Sequence, residues 1–241
     1  MLKVPFFKPY IDRKEILAVK KVLKSGWLTS GNVTSHAEKK IKSKLKSKYA
    51  IMLNSCTSGI HLSLVANNLK KGDEVITSAF TWVSTIHNLY NLGLKIKFCD
   101  INFDNYSLSL NDIKKVYSKK TKCILITHFG GVPADIVKIN NFCKQKKIIL
   151  IEDAATAFGA KINNKFIGSF NNSTAVFSFY ANKIITCGEG GVVTTNDKKI
   201  ADKIRLLSKM GINKDPWIRR NNSNKWQYEV NELGFKYNMT D

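Results

Sequence analysis

The chain has 241 residues, 44% of them hydrophobic, a length that suits one large domain, or one domain with an appendage, with a sizeable core. No run of about 18 apolar residues occurs, so no membrane-spanning helix is predicted. The formal net charge of +21 invites an anionic partner, but arginine supplies only four of the 39 basic residues and the lysines spread over every predicted helix, so compositional drift is a better reading than nucleic-acid binding.

The start, residues 1–9, lacks the apolar stretch of a signal peptide, and residues 14–23 have helical spacing that ends at Ser25-Gly26. Short apolar runs then recur at 49–53, 74–77, 95–99, 122–127, 148–152, 174–179 and 191–195. They read as strands, and between them 58–68, 84–92, 110–116, 136–145 and 198–210 read as helices. Such alternation predicts an α/β fold: a mostly parallel seven-stranded sheet with helices on both faces. Residues 213–241 mix Pro, Trp, Arg and Asn without period and read as loop, and the chain stops without a closing element. The five cysteines (Cys56, Cys99, Cys123, Cys143, Cys187) are odd in number and lack Cys-x-x-Cys spacing, as expected of reduced thiols in the cytoplasm. The four histidines are dispersed, and no metal site is expected.

Four features fall at carboxyl ends of predicted strands, where open α/β sheets bind ligands. Asn54-Ser55-Cys56-Thr57-Ser58-Gly59 joins a strand to a helix, where its hydroxyls read first as an N-cap and alternatively, with the free N–H groups, as an anion site. Thr81-Trp82-Val83-Ser84-Thr85 offers an aromatic plate, or core packing. Glu152-Asp153 ends a very apolar strand, and an acid buried there needs a partner or caps the next segment. Lys183 follows the 174–179 run and precedes the reversal Gly188-Glu189-Gly190-Gly191. An amine in such a pocket becomes a Schiff-base nucleophile, although most lysines in loops are only solvated charge. A phosphate cradle, a carboxylate, an aromatic plate and a lysine on one sheet edge are what pyridoxal phosphate (PLP) requires.

The stretches Ser25-Gly26-Trp27-Leu28-Thr29-Ser30-Gly31, Gly72-Asp73-Glu74-Val75-Ile76-Thr77, Thr81–Thr85, His128-Phe129-Gly130-Gly131-Val132-Pro133-Ala134-Asp135, Glu152-Asp153-Ala154-Ala155 and 178–191 occur in the order they take in one family. The chain resembles the DegT/DnrJ/EryC1/StrS family of PLP-dependent sugar aminotransferases of fold type I. Its wording is most similar to the branch that aminates a UDP-4-keto-pentose. The resemblance implies that Lys183 binds the cofactor aldehyde, that Asp153 pairs with the ring nitrogen, and that Thr57, Ser58 and Ser178 hold the phosphate. Trp82 would lie on the ring. Thr156 stands where many relatives carry His or Gln against the ring, with a shorter reach. Asn238, in Gly234-Phe235-Lys236-Tyr237-Asn238, would reach the phosphate of the other subunit of a homodimer with shared active sites. Thr29 and Arg219 are candidates for substrate binding, the latter for a diphosphate.

The implied reaction moves an amino group from an amino acid, glutamate by resemblance, to a nucleotide-linked keto sugar in polysaccharide or lipopolysaccharide biosynthesis. The implied organisation is an N-terminal segment and helix (1–30), a PLP-binding large domain (31–212) and a loop (213–241) leading to a C-terminal domain that this sequence does not contain. Two rival expectations follow: a fold that survives without activity, as a truncated or split remnant, and a basic nucleic-acid-binding protein.

Overall fold

The computed structural model describes residues 3–5, 7–213 and 228–241. Helix α1 (Arg13–Ser25) opens on a capping box, in which Asp12 accepts from the first turn while Glu15 reaches back to the Asp12 N–H. It ends on Gly26, whose left-handed φ of 67° closes the helix. Helix α2 (Asn32–Leu45) has no counterpart among the predicted elements. Its first turn carries no capping side chain, since Gly31 occupies the cap position. Asp241 supplies the cap instead, its carboxylate accepting from the N–H groups of Gly31, Val33 and Thr34 and from the Thr34 hydroxyl. A cap from more than 200 residues away leaves no local signal.

The remaining elements run β1 (Tyr49–Leu53), α3 (Cys56–Ala66), β2 (Glu74–Thr77), α4 (Val83–Asn91), β3 (Lys95–Phe98), α5 (Leu110–Val116), β4 (Thr121–Thr127), α6 (Ile136–Lys146), β5 (Ile149–Asp153), a small hairpin of β6 (Lys161–Ile162) and β7 (Lys165–Phe166), β8 (Ser173–Ser178), β9 (Gly191–Thr195) and α7 (Lys198–Leu207). Every predicted strand is present to within a residue or so at each end, and the hairpin is additional. Helix α7 stops three residues short of the predicted end. Segment 228–241 has no strand among its described residues, but Leu53 pairs with Asn238 and Lys209 with Lys236 as isolated bridges.

The seven-stranded sheet has the order β1-β9-β8-β5-β4-β2-β3. Strands β8, β5, β4, β2 and β3 are parallel, while β9 runs antiparallel to both β1 and β8. Successive residues of a strand point to opposite faces, so β1, β2 and β4 each feed two cores. Met52, Ile76 and Ile124 join one with α2, α5 and α6 residues, and Ile51, Val75 and Cys123 join the other with α3, α4 and α7 residues. Burial on both faces explains the continuous apolar runs. Edge strand β3 is the exception: Lys95 and Lys97 alternate with apolar residues and guard the open edge.

Candidate active site

Four loops meet at the carboxyl edge of the parallel strands. At one end, Ser55 caps α3 by accepting from the Ser58 N–H, at 3.1 Å. The Ser58 hydroxyl turns inward to Asn54 Oδ1 (2.7 Å) and to the Ser55 carbonyl (2.8 Å), and Asn88 on α4 holds the Thr57 carbonyl at 2.9 Å. The N–H groups of Cys56 and Thr57 are left at the positive end of the helix dipole, the arrangement that binds anions. Gly191 sits against this turn so closely that a Cβ there would meet Ser55 C and Cys56 N at 2.5–2.6 Å. Across the ladder Gly191 pairs with Ser178, which brings the Ser178 hydroxyl to the same place.

Asp153 lies at the other end, 3% exposed at the tip of β5. Its carboxylate accepts from the Thr85 hydroxyl (2.7 Å) and from the Ala155 N–H (3.1 Å). Burial pushes the Asp153 carboxyl above its ordinary value, against the pull of those two donors and of the Lys183 charge. A buried acid in this state is completed by a cationic N–H partner.

The preceding residue, Glu152, points to the opposite face of the sheet and is wholly buried. It accepts from Ser173 Oγ (2.5 Å) and pairs with His128 Nε2 (2.9 Å). His128 Nδ1 accepts from the Ala134 N–H, at 3.0 Å, so the ring proton sits on Nε2 and is donated to Glu152. His128 also ties the two strand ends together: its N–H donates to the Asp153 carbonyl, and its carbonyl accepts from the Thr156 hydroxyl.

Lys183 follows β8 in a turn closed by its N–H donating to the Tyr180 carbonyl. That turn lies between β8 and β9, beside the ladder in which Ser178 pairs with Gly191. Trp82 precedes α4 and is 74% exposed, one turn before the Thr85 that holds Asp153. Thr57, Ser58, Ser178, Asp153, Trp82 and Lys183 are thus gathered on one edge. Thr156 is beside them with its hydroxyl committed to His128. Asn238 pairs through its backbone with Leu53, but its side-chain amide donates to Ser30 Oγ (2.8 Å) and its oxygen accepts from Lys236. Thr29 is half-buried in the loop that Ser30 fastens to the Met239 carbonyl. Arg219 falls outside the described residues.

Residues 9–241 match the DegT/DnrJ/EryC1/StrS aminotransferase family. The chain belongs to this family. It is 37% identical over 238 residues to the spore coat polysaccharide biosynthesis protein SpsC of Bacillus subtilis, covering 99% of this chain and 61% of SpsC. The fold matches Streptococcus pneumoniae Spr1654 in its PLP-form with a TM-score of 0.89, at 25% identity over 99% of this chain and 64% of that one. It also matches Helicobacter pylori PseC, an aminotransferase involved in the biosynthesis of pseudoaminic acid, with a TM-score of 0.88, at 27% identity over 98% of this chain and 62% of that one. The chain spans about three fifths of the length of the curated relatives it matches.

For a member of this family, Thr85, Asn88 and Gly191 are the site residues that sequence reasoning left unassigned. Thr85 was part of the Thr81–Thr85 motif, and only its place one helical turn beyond Trp82, above β5, reveals the contact with Asp153. Among the described residues no helix is long and apolar enough to cross a membrane, and no cluster of three or more metal-ligating side chains occurs.

Proposed function

We propose that this chain is the cofactor-binding part of a PLP-dependent aminotransferase that transfers an amino group from an amino acid, glutamate by family resemblance, to a nucleotide-linked keto sugar in polysaccharide or lipopolysaccharide biosynthesis. The observation that carries the reading is Asp153, a buried carboxyl held by Thr85 and the Ala155 N–H at the same sheet edge that carries the Lys183 turn and the α3 N-terminus. PLP presents a phosphate, a pyridine nitrogen and an aldehyde, and the donor set fits these three in order. The α3 N-terminus and Ser178 would hold the phosphate, Asp153 the protonated ring nitrogen, and Lys183 the aldehyde carbon. When bound, the cofactor supplies an aldehyde that condenses with amines and a ring that takes up electron density.

The chain's own residues do the rest. Lys183 Nζ would serve as the base that takes a proton from the substrate α-carbon and then as the acid that gives it back. Asp153 keeps its partner nitrogen protonated through the ion pair. Trp82 would lie on one face of the bound ring. Thr156 donates to the His128 carbonyl beside Asp153, and Asn238, Thr29 and Arg219 would serve substrate and partner-subunit contacts. In this reading residues 31–212 form the cofactor-binding domain, 213–241 lead toward a C-terminal domain, and the protein works in the cytoplasm as a homodimer with shared sites. SpsC, a spore coat polysaccharide biosynthesis protein, and PseC, an aminotransferase involved in the biosynthesis of pseudoaminic acid, support the sugar-biosynthetic setting.

A single-turnover experiment tests the proposal. Pure protein loaded with PLP and mixed with glutamate should yield a stoichiometric amount of 2-oxoglutarate, and Lys183→Ala should yield none. Equal yields from the two proteins would overturn the assignment.

A further inference from the structure

Asp153 sits at the end of a line of hydroxyls whose direction can be worked out. Thr85 Oγ1 donates to Asp153 Oδ2 at 2.7 Å, and Thr81 Oγ1 donates to Thr85 Oγ1 at 3.3 Å. Thr81 Oγ1 and Thr127 Oγ1 are 2.9 Å apart, with either able to donate on distance alone. A hydroxyl has one proton. That of Thr81 is already committed to Thr85, so Thr127 is the donor, and the chain reads Thr127 to Thr81 to Thr85 to Asp153. Every proton points at the carboxylate. The three threonines come from three places, the end of β4, the loop before α4, and α4 itself. Thr127 is also the register partner of Asp153 across the β4–β5 ladder. Thr85 is wholly buried, so its hydroxyl has no competing water.

We propose that Thr85, backed by Thr81 and Thr127, is a positioning residue that holds Asp153 as an ionised acceptor aimed at the ring end of the site. The orientation of Asp153 is set by these hydrogen bonds and by the Ala155 N–H; its use as a cofactor partner rests on the function proposed above. Hydrogen bonds in such a line polarise one another, so each outer threonine strengthens the bond at the carboxylate. The other groups acting on this carboxylate are the Ala155 N–H, His128, Lys183 and, from the α3 turn, Cys56; Glu152 is its chain neighbour on the opposite face of the sheet. All of these are unchanged in the variants below.

The test follows the Asp153 carboxyl carbon by NMR as a function of pH in the cofactor-free full chain, with Asp153→Asn providing the assignment. Thr85→Val should raise the midpoint by on the order of one pH unit, the size of a lost hydrogen bond to a charged group. Thr85→Ser should restore it, and Thr127→Val should raise it by a smaller amount in the same direction. PLP dissociation constants, measured by spectroscopic titration, should weaken roughly tenfold in Thr85→Val and return in Thr85→Ser, a tenfold change being one pK unit of interaction. An unchanged midpoint in Thr85→Val, or no recovery in Thr85→Ser, would overturn the proposal. If Thr85→Val fails to fold, Thr127→Val decides by the same midpoint. Midpoint shifts in a chain that does not bind PLP would uphold the relay and remove the function, so the two failures are distinguishable.

Discussion

The two ends of the candidate site are made of different materials. The anion end is built mostly from main chain: two N–H groups at the start of α3 and a glycine pressed against the turn, with one side-chain cap from Ser55. The acid end is built from side chains: Asp153 with its threonine line in front, and Glu152, His128 and Ser173 behind. A main-chain site is set by the path of the backbone and tolerates many side chains, provided nothing fills the space. A side-chain site requires particular atoms and fails when one is removed. The ends should therefore respond to mutation in opposite ways: additions should damage the first, and deletions the second.

The largest effect should come from a deletion at the acid end. Glu152→Ala leaves the buried His128 Nε2–H without its acceptor and Ser173 with only the Phe170 carbonyl at 3.3 Å, and should cost about 3 kcal/mol, read as a lower midpoint in urea unfolding. A cost near zero would mean that this end is not organised by its side chains. At the anion end the damaging change is an addition. Gly191→Ala places a Cβ against backbone atoms of Ser55 and Cys56 that cannot swing away. We expect a loss of about 1–3 kcal/mol, whereas Gly190→Ala, which meets mainly the Cys187 side chain, should be milder in the same assay.

The smallest effect belongs to the remote cap on α2. Burial pushes the Asp241 carboxyl up, but the hydroxyl and N–H of Thr34 and the N–H groups of Val33 and Gly31 outweigh it and lower the pKa. A lowered folded value contributes stability that is present above the unfolded pKa, about 3.9, and is lost as pH falls through the folded value. Asp241→Ala should thus cost about 1 kcal/mol at neutral pH, and the gap from wild type should narrow in acid. A gap that does not change between neutral and acid conditions would show that the cap is not carried by the charged form.

The same contrast explains what was legible in the sequence. Lys183, Asp153, Trp82 and the Ser55–Ser58 run could be read because their chemistry belongs to residue types placed just after apolar strands. The strands could be read because burial on both faces leaves unbroken apolar runs. Helix α2 could not, because its capping group is at Asp241 and its buried contributions are few, Thr34 and Leu45. Gly191 stood out as part of a glycine-rich reversal, but its contact with Ser55 and Cys56 depends on β9 lying between β1 and β8, a long-range pairing. Thr85 is similar: one threonine among several until α4 is laid over β5. Asn238 shows the converse, a residue whose motif was visible while its side chain turns to Ser30 and Lys236.

The central claim is that one lysine out of an excess of basic residues occupies a built site. Loading the full chain with PLP, reducing with borohydride and mapping the modified peptides tests it directly. Label should concentrate on Lys183, and excess inorganic phosphate, competing at the α3 N-terminus, should lower it there while leaving scattered labelling elsewhere unchanged. Label spread evenly over the surface lysines, with Lys183 no more reactive than the rest and insensitive to phosphate, would contradict it.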